Sequence, residues 1–201
     1  MSKGARTLII VLALIVVLIL LAIGLVAGKY NTMITKDETV KNAWAQVENQ
    51  YKRRFDLIPN LVETVKGYAE HERETFTAVT EARAKVGQLN ISPEIINNPQ
   101  AFSQFQQAQD GLSGVLSRLM VVLERYPELK ANQNFIRLQD ELAGTENRIA
   151  VERKRFNDAV LAYNGYIRRF PTNIFASMFG FKLGAYFEAP EEAGEAPKVE
   201  F

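Results

Sequence analysis

The sequence predicts an all-α protein with an N-terminal transmembrane helix, an antiparallel coiled-coil-like bundle of three long helices, and a short C-terminal helix. Three observations support this prediction. The stretch from Leu8 to Ala27 is apolar and contains neither a charge nor an amide side chain. The remainder places apolar residues at alternating spacings of three and four, which is typical of helices that pack along a seam. No segment shows the alternating pattern of a β-strand.

The apolar run predicts a membrane anchor. Its length matches the ~20 residues that a helix needs to cross a bilayer. A cleavable signal has an apolar core of only roughly 7 to 15 residues before a small-residue cleavage site, and Ala22-Ile23-Gly24 imitates that site weakly. We therefore expect residues 1–28 to be a retained anchor with a short N-terminal flank. Its orientation stays open, because Lys3 and Arg6 precede the run and Lys29 follows it.

Two glycines, Gly24 and Gly28, form a G-x-x-x-G pattern near the end of the anchor. This spacing lets two membrane helices approach closely, and it predicts packing between the anchors of two chains. Glycine is also common in membrane helices in general. The pattern is therefore compatible with an anchor that does not pair, and both interpretations stand at this point.

The first helix of the body is predicted from Tyr30 to Val86. Pro59 should kink or break it, because proline lacks a backbone N–H and its ring clashes with the preceding turn. Nearby, Arg54 and Asp56 are the least expected polar residues beside an apolar seam. They predict a buried or intersubunit ion pair that fixes the register of the helices, and a ligand site is the alternative.

Two further helices follow a turn-rich connection that runs from Gly87 to Asn98. Asn98 is the expected N-cap, with Pro99 at the first helical position. Pro127 and Pro171 should end the second and third helices, because the residue before a proline avoids the helical region. The predicted bounds are therefore residues 99–126 for the second helix and about 132–169 for the third.

Aromatic residues follow the third helix and complete a predicted bundle domain of residues 29–187. They predict either a cap on the open end of the bundle or a contact surface, since clustered exposed aromatics mark interaction sites. Residues 188–201 are acidic and rich in alanine and proline, which predicts a flexible tail. Apolar residues alternate at its end, a pattern that suits docking on a partner. The residues predicted to make C-terminal contacts are Phe175, Phe179, Phe181, Val199 and Phe201.

A comparison of helix lengths predicts self-association. A straight helix from Lys29 to Val86 would reach on the order of 85 Å, whereas the returning helix from Pro99 to Tyr126 covers about 40 Å. The membrane-proximal seam then has no partner in its own chain, and burying one such side chain is worth ~1.5–3 kcal/mol. We therefore expect other subunits to cover this row, with a sharp break at Pro59 as the alternative. The row consists of Val40, Trp44, Val47 and Tyr51.

Three basic clusters lie in the body, at residues 52–54, 153–155 and 168–169. On an upright helix, Lys52 lies about 35 Å beyond the membrane edge. The Debye length is only ~8–10 Å, so such charges do not sense the bilayer. We therefore predict solvated faces or intersubunit ion pairs for these clusters rather than contacts with lipid headgroups.

Composition argues against several classes of function. The chain has 201 residues with 24 Lys and Arg, 23 Asp and Glu and no Cys. This balance disfavours a nucleic-acid binder, and the lack of Cys excludes disulfides and thiolate metal sites. The single histidine, His71, precedes Glu72, but position 75 is Thr, so the second histidine of a zinc-protease helix is missing. We expect no catalytic residue, metal or cofactor, and a protein that is not an enzyme.

Several long motifs occur in an order that is specific to one family. They are QYKRRFDLIPNLVETVKGYAEHE at residues 50–72, YPELKAN at 126–132, LQDELAGTENRI at 138–149, and the segment 163–171. In these segments the chain resembles the LemA family of bacterial membrane proteins. The resemblance implies an N-terminal membrane helix, a helical bundle and a bacterial inner-membrane location with the body in the cytoplasm. It implies no established activity and no catalytic residues.

These observations together predict a membrane-anchored scaffold that self-assembles into homo-oligomers and organises or remodels membrane. The alternative is a membrane-bound adaptor that presents its C-terminal tail to another membrane protein, such as a protease or a signalling component. The expected partners are the lipid bilayer, further copies of the chain and, for the tail, a protein.

Overall fold

The computed structural model describes residues 3–68, 72–89 and 91–188, with side chains from residue 9 onward. Within these ranges all regular structure is helical, which confirms the predicted fold class. The α-helices are α1 (Lys3–Lys66), α2 (Arg73–Gly87), α3 (Pro99–Leu123), α4 (Pro127–Lys130), α5 (Gln133–Ile167) and α6 (Thr172–Met178), and a 3-10 helix (Pro93–Asn97) precedes α3.

Helix α1 passes without interruption from the apolar run into the body. Its most apolar 18-residue window has a mean hydropathy of 3.6, and none of that window is buried by the rest of the chain. Among the described residues, α1 is the one helix long and apolar enough to cross a membrane. The anchor and the first body helix are therefore one continuous element.

Pro59 lies inside α1 without ending it, so the prediction of a break at this proline is wrong. Proline cannot donate to the carbonyl four residues earlier, which belongs to Phe55. Arg83 of α2 supplies the missing donor, because its Nε donates to the Phe55 carbonyl oxygen at 3.2 Å. The Arg83 guanidinium also lies 3.8 Å from the centre of the Phe55 ring. The predicted helix from Tyr30 to Val86 is divided instead after Lys66.

Four helices, α1, α2, α3 and α5, run in alternating directions. Helix α2 returns beside the distal part of α1, and Trp44 Nε1 donates to the Ile91 carbonyl at 3.3 Å in the connection that follows. Helix α3 then runs outward from the membrane side. Helix α5 comes back, since it meets α1 first near Arg54, through Glu146, and later near Trp44, through Phe156.

The row on α1 that was expected to need other subunits is buried within its own chain. Val40 and Tyr51 are 2% exposed, and Trp44 and Val47 are fully buried. The prediction that this row lacks an intrachain partner is wrong because α5 is the longer returning helix. Its 35 residues span about 52 Å, close to the roughly 57 Å of α1 that lies beyond the apolar run.

Most helix ends follow the predicted signals. The Asn98 side chain accepts a hydrogen bond from the Ala101 N–H, with Pro99 at the first helical position. Asn132 accepts from the N–H groups of Asn134 and Phe135 at the start of α5. These caps satisfy backbone donors that have no partner inside the helix. They place the ends of α3 and α5 close to the predicted residues.

The core is divided into two clusters of different composition. The membrane-proximal cluster is aromatic, with Trp44, Phe102, Phe105 and Phe156 in mutual contact at ring-centroid distances of 5.3 to 6.5 Å. The distal cluster is mainly aliphatic. Its fully or nearly fully buried members include Ile58, Leu61, Val65, Leu112, Leu119, Leu123 and Leu129.

After α6 the chain turns at Gly180, whose φ of 77° favours glycine, and runs back along the bundle. We call residues 181–188 the C-terminal segment. Two asparagines of α5 each exchange a pair of hydrogen bonds with its backbone, Asn164 with Gly184 and Asn157 with Phe187, at 2.8 to 2.9 Å. Phe187 is buried in the aromatic cluster. The C-terminal segment is therefore an integral part of the bundle.

Candidate functional site

A layer of polar side chains crosses the bundle between the aromatic and the aliphatic cluster. We call it the mid-bundle layer, and it consists of Arg54 of α1, Gln109 and Ser113 of α3, and Glu146 of α5. Arg54 and Gln109 are each only 1% exposed. The layer is therefore the place where the three long helices exchange polar rather than apolar contacts.

The Arg54 guanidinium connects the three helices. Its Nη1 donates to Ser113 Oγ at 2.5 Å and to Glu146 Oε1 at 2.8 Å. Its Nη2 donates to the carbonyl oxygen of Gln109 at 3.2 Å and also to the Gln109 side-chain oxygen. A planar guanidinium with several fixed donors suits such a junction, because it can contact different helices at once.

Arg54 thus forms its ion pair with Glu146 of the same chain. The Glu146 side chain is 36% exposed, so the pair joins a buried cation to a partly hydrated carboxylate. Asp56 is exposed, and no ion pair or hydrogen bond involving its side chain is formed within the described part of the chain. Sequence inspection identified the unusual arginine, but Asp56 takes no part in the layer.

The mid-bundle layer carries more polar groups than it pairs. Arg54 Nε and Gln109 Nε2 are buried and make no hydrogen bond to the described residues, and the same holds for Oε1 of Gln50, one turn before Arg54 on α1. Burying an incompletely paired polar group is costly, so the layer is not optimised for stability. Its geometry is suited to fixing the register of the helices. If one helix shifted along the others, Arg54 would be buried against apolar side chains.

A second polar group lies one turn nearer the membrane. Arg153 of α5 donates to the hydroxyl of Tyr51 and forms a 2.6 Å ion pair with Asp110 of α3. Burial raises the pKa of Tyr51 to about 12, although the positive charge of Arg153 opposes this rise. In the folded protein the Tyr51 hydroxyl is therefore protonated over a wider pH range than in the unfolded chain.

The stability of the protein should fall as pH rises from about 10 to 12, and Tyr51→Phe should reduce this fall. The folded pKa of Tyr51 is raised from 10.0 to about 12, so its contribution is present below pH 10 and is lost as pH approaches 12. Two pH units correspond to roughly 2–3 kcal/mol. Urea unfolding of both proteins across this range measures the difference, and identical slopes would contradict the assignment.

The predicted contact residues of the C-terminal region have different surroundings. Phe175 and Phe181 are partly buried against the aromatic cluster, whereas Phe179 is 43% exposed. Val199 and Phe201 lie outside the described residues, as does His71. Gly24 and Gly28 are exposed, and a Cβ added to either would meet nothing within 4 Å.

Several charged side chains of the bundle form ion pairs between different helices. Within residues 3–68, 72–89 and 91–188 no group of three or more His, Cys, Asp or Glu side chains could hold a metal ion. Glu72, the carboxylate beside His71, accepts hydrogen bonds from the Tyr126 hydroxyl and the Arg125 guanidinium. It thus ties the end of α3 to the start of α2.

The sequence model of the LemA family matches residues 43–201, a range that includes the mid-bundle layer and every motif described above. The chain belongs to the LemA family. The resemblance drawn from the motifs is therefore confirmed, and it agrees with the all-helical bundle and the apolar N-terminal helix.

Three relatives align with most of the chain. Magnetosome protein MamQ 2 of Paramagnetospirillum magneticum is 28% identical over 206 residues, which covers 93% of this chain and 75% of that protein. Magnetosome protein MamQ of Magnetospirillum gryphiswaldense is 26% identical, covering 85% and 68%. Protein LemA of Metamycoplasma hominis is 25% identical, covering 86% and 73%.

Proposed function

We propose that this LemA-family protein is a membrane-anchored, non-enzymatic scaffold that self-assembles through its membrane helix and organises the membrane around it. The observation that carries the proposal is the continuity of α1, which extends the apolar run directly into the bundle core. The named role of two relatives as magnetosome proteins is compatible with a task at membranes. We also propose that the protein lies in the bacterial inner membrane with its body in the cytoplasm, a proposal that the family resemblance supports.

Contacts at the start of the body support a stiff connection between anchor and bundle. The ring of Tyr30 lies 4.9 Å from that of Phe179 and 5.9 Å from that of Phe181. The ammonium groups of Lys29 and Lys36 lie 5.5 and 5.7 Å from the centre of the Tyr166 ring. Cation–π contacts of this kind contribute on the order of 0.5–1 kcal/mol each at exposed sites. The body therefore braces α1 where it leaves the apolar run.

The surface that we assign to self-assembly is the glycine face of the anchor. Phe179 lines a groove together with residues on one side of α1, including Ile19, Ile23 and Val26. At 3.6 residues per turn, Gly24 and Gly28 lie roughly 115° and 155° around α1 from the middle of that groove, and a Cβ built at either glycine would meet nothing within 4 Å. The body therefore leaves the G-x-x-x-G face open for a second membrane helix, which this spacing allows to approach closely.

The bundle does not require a second copy to complete its core, because the row from Val40 to Tyr51 is already covered. Self-assembly is therefore assigned to the anchor and not to this row. The adaptor alternative depends on residues 189–201, which lie outside the described residues. Scaffolding is thus the function that the described geometry supports best.

Gly24→Leu combined with Gly28→Leu should shift the full-length protein in lipid bilayers from oligomers toward monomers. Leucine at these positions would hold two helices apart and remove the close backbone approach. Counting photobleaching steps of the labelled protein in vesicles at low protein density measures the change. Gly4→Leu is the matched control, because Gly4 is an open glycine on about the opposite side of α1 from Gly24.

Two results would contradict the proposal. A wild-type protein that bleaches in single steps at every protein density would show that the chain does not self-assemble. If the Gly4→Leu control and the double variant dissociated the oligomers equally, the glycine face would not be the interface. Circular dichroism of each variant checks that the helical content is retained.

A further inference from the structure

The membrane-facing end of the bundle carries an exposed apolar surface that the core does not use. We call it the basal surface, and it consists of Phe170, Ile174, Met178 and Phe179. Their exposed fractions are 81%, 55%, 63% and 43%. Single exposed apolar residues are common, but a contiguous exposed group marks a binding surface.

The basal surface results from the amphipathic pattern of α6. Thr172 and Ala176 are buried at 2% and 5% exposure and face the bundle. Ile174 and Met178 are spaced by four residues, so they share the opposite face of the helix. Phe170 lies just before α6 and is 81% exposed. Helix α6 therefore turns an apolar side away from the protein.

The position of α6 places this apolar side beside the membrane span. Helix α6 packs against α1, and the ring of Phe179 contacts that of Tyr30. Phe179 also lines a groove with Ile19, Ala22 and Ile23, which belong to the apolar run. Ile19 lies about 12 Å before the end of that run at Ala27 along a helix. The basal surface thus reaches the depth at which the anchor is itself apolar.

Positive charges lie next to the basal surface along the chain and on α1. Arg168 and Arg169 are exposed at the end of α5, and no ion pair of the described residues includes either of them. The ammonium groups of Lys29 and Lys36 both contact the ring of Tyr166, two residues before Arg168. This arrangement contradicts the sequence-based expectation that residues 168–169 lie beyond the electrostatic reach of the membrane, because α5 returns to its edge.

We propose that the basal surface is seated in the interface of the same bilayer that α1 spans. Ile174 and Met178 would enter the boundary between headgroups and acyl chains, and Arg168 and Arg169 would contact anionic headgroups. An apolar face bordered by basic residues is typical of helices that lie in a membrane interface. Basic residues within a Debye length of an anionic leaflet are attracted to it.

We favour the bilayer over a second copy of the chain as the partner of the basal surface. The anchor fixes where the bilayer lies relative to this surface. Any bilayer that encloses residues 9–25 brings its headgroup region to Tyr30, and Phe179 touches Tyr30. The open glycine face lies on the other side of α1, so pairing through it does not cover α6. The basic border also matches an anionic lipid surface and would repel an identical border on another copy.

The absence of cysteine from the chain makes a direct test possible in the full-length protein. A single cysteine is introduced by Ile174→Cys or by Met178→Cys and labelled with the environment-sensitive fluorophore NBD. The protein is reconstituted in phosphatidylcholine vesicles with and without phosphatidylglycerol. Quenching is measured with lipids that carry a nitroxide in the headgroup region. Val121→Cys is the matched control, since Val121 is 71% exposed at the distal end of α3.

Labels at positions 174 and 178 should be quenched several-fold more than the label at position 121. Adding Arg168→Gln and Arg169→Gln should reduce quenching at position 178 in the vesicles that contain phosphatidylglycerol. Labels at 174 and 178 that are quenched no more than the label at 121 would overturn the proposal. Blue-shifted emission that rises with protein density without lipid quenching would also overturn it, because it would identify a second copy as the occupant.

Both labelled positions are exposed, so the substitutions remove no core contact. Circular dichroism and the midpoint of thermal unfolding establish that each labelled protein is folded before quenching is compared. The measurement does not depend on self-assembly, because lipid quenching at position 178 is expected for a monomer and for an oligomer. Failure of the scaffold proposal and failure of this proposal are therefore distinguishable.

Discussion

Replacing Trp44 with alanine is expected to lower the free energy of unfolding by about 3–5 kcal/mol, the range for large aromatic residues in protein cores. Trp44 is fully buried, and its ring contacts those of Phe102, Phe105 and Phe156. Its indole N–H also donates to the Ile91 carbonyl. The substitution therefore removes a large side chain from the centre of the aromatic cluster and leaves a partly buried carbonyl without its donor.

Guanidinium unfolding of the full-length protein in detergent micelles measures this loss. Circular dichroism is the appropriate signal, because Trp44 is the single tryptophan of the chain. Val121→Ala is the control for an exposed apolar residue, and it should change stability by at most about 0.5 kcal/mol. A similar small effect of Trp44→Ala would contradict burial within one chain.

The second large effect is expected in the mid-bundle layer. Glu146→Ala should cost about 3 kcal/mol, the lower end of the range for breaking a buried ion pair, because it leaves Arg54 without its counter-charge. Arg54 is 1% exposed, whereas Glu146 is 36% exposed. Arg54→Met should therefore cost less than Glu146→Ala, since the carboxylate that remains is hydrated. The double variant should recover part of the loss caused by Glu146→Ala.

The neighbouring pair of Arg53 and Glu141 provides the matched control on the same two helices. Its atoms are 3.6 Å apart, and both side chains are at least 40% exposed. Glu141→Ala should therefore change the free energy of unfolding by less than about 1 kcal/mol. Denaturant unfolding of the four variants in the same micelles gives the comparison. Equal costs for Glu146→Ala and Glu141→Ala would show that the buried pair has no special role.

The sequence was sufficient for most of the helices because local chemistry determines their ends. Asparagine caps and prolines act within a few residues, so Asn98, Pro99 and Asn132 could be assigned without knowledge of the fold. Pro59 could not be assigned in this way. Its effect depends on whether another part of the chain satisfies the Phe55 carbonyl, and Arg83 does so from 28 residues away.

The polar layer was only partly predictable for the same reason. Arg54 interrupts an apolar seam and was identified as unusual, but its partners depend on how three helices are aligned. One signal was available and was not used, since Gln109 occupies the seam position between Phe105 and Leu112. A polar residue in the seam of each of two facing helices indicates that they meet at the same level.

The C-terminal segment was the least predictable part of the described fold. Its apolar residues alternate at Phe181, Leu183, Ala185 and Phe187 as in a strand, but it forms none. Asparagine side chains 20 to 30 residues earlier hold its backbone in place instead. Such contacts leave no local pattern in the sequence. The position of α6 beside the membrane span could not be predicted either, because it depends on the return of α5 along α1.

Helix α1 passes through the membrane boundary without a break, so a tilt of its membrane-spanning part also moves its distal end. The arm beyond the bilayer is roughly 57 Å long, so a change in tilt of about 10° would swing its far end by about 10 Å. Tilt responds to the thickness of the surrounding bilayer. A difference of a few ångströms in lipid length would thereby be converted into a larger displacement of the distal end of the bundle.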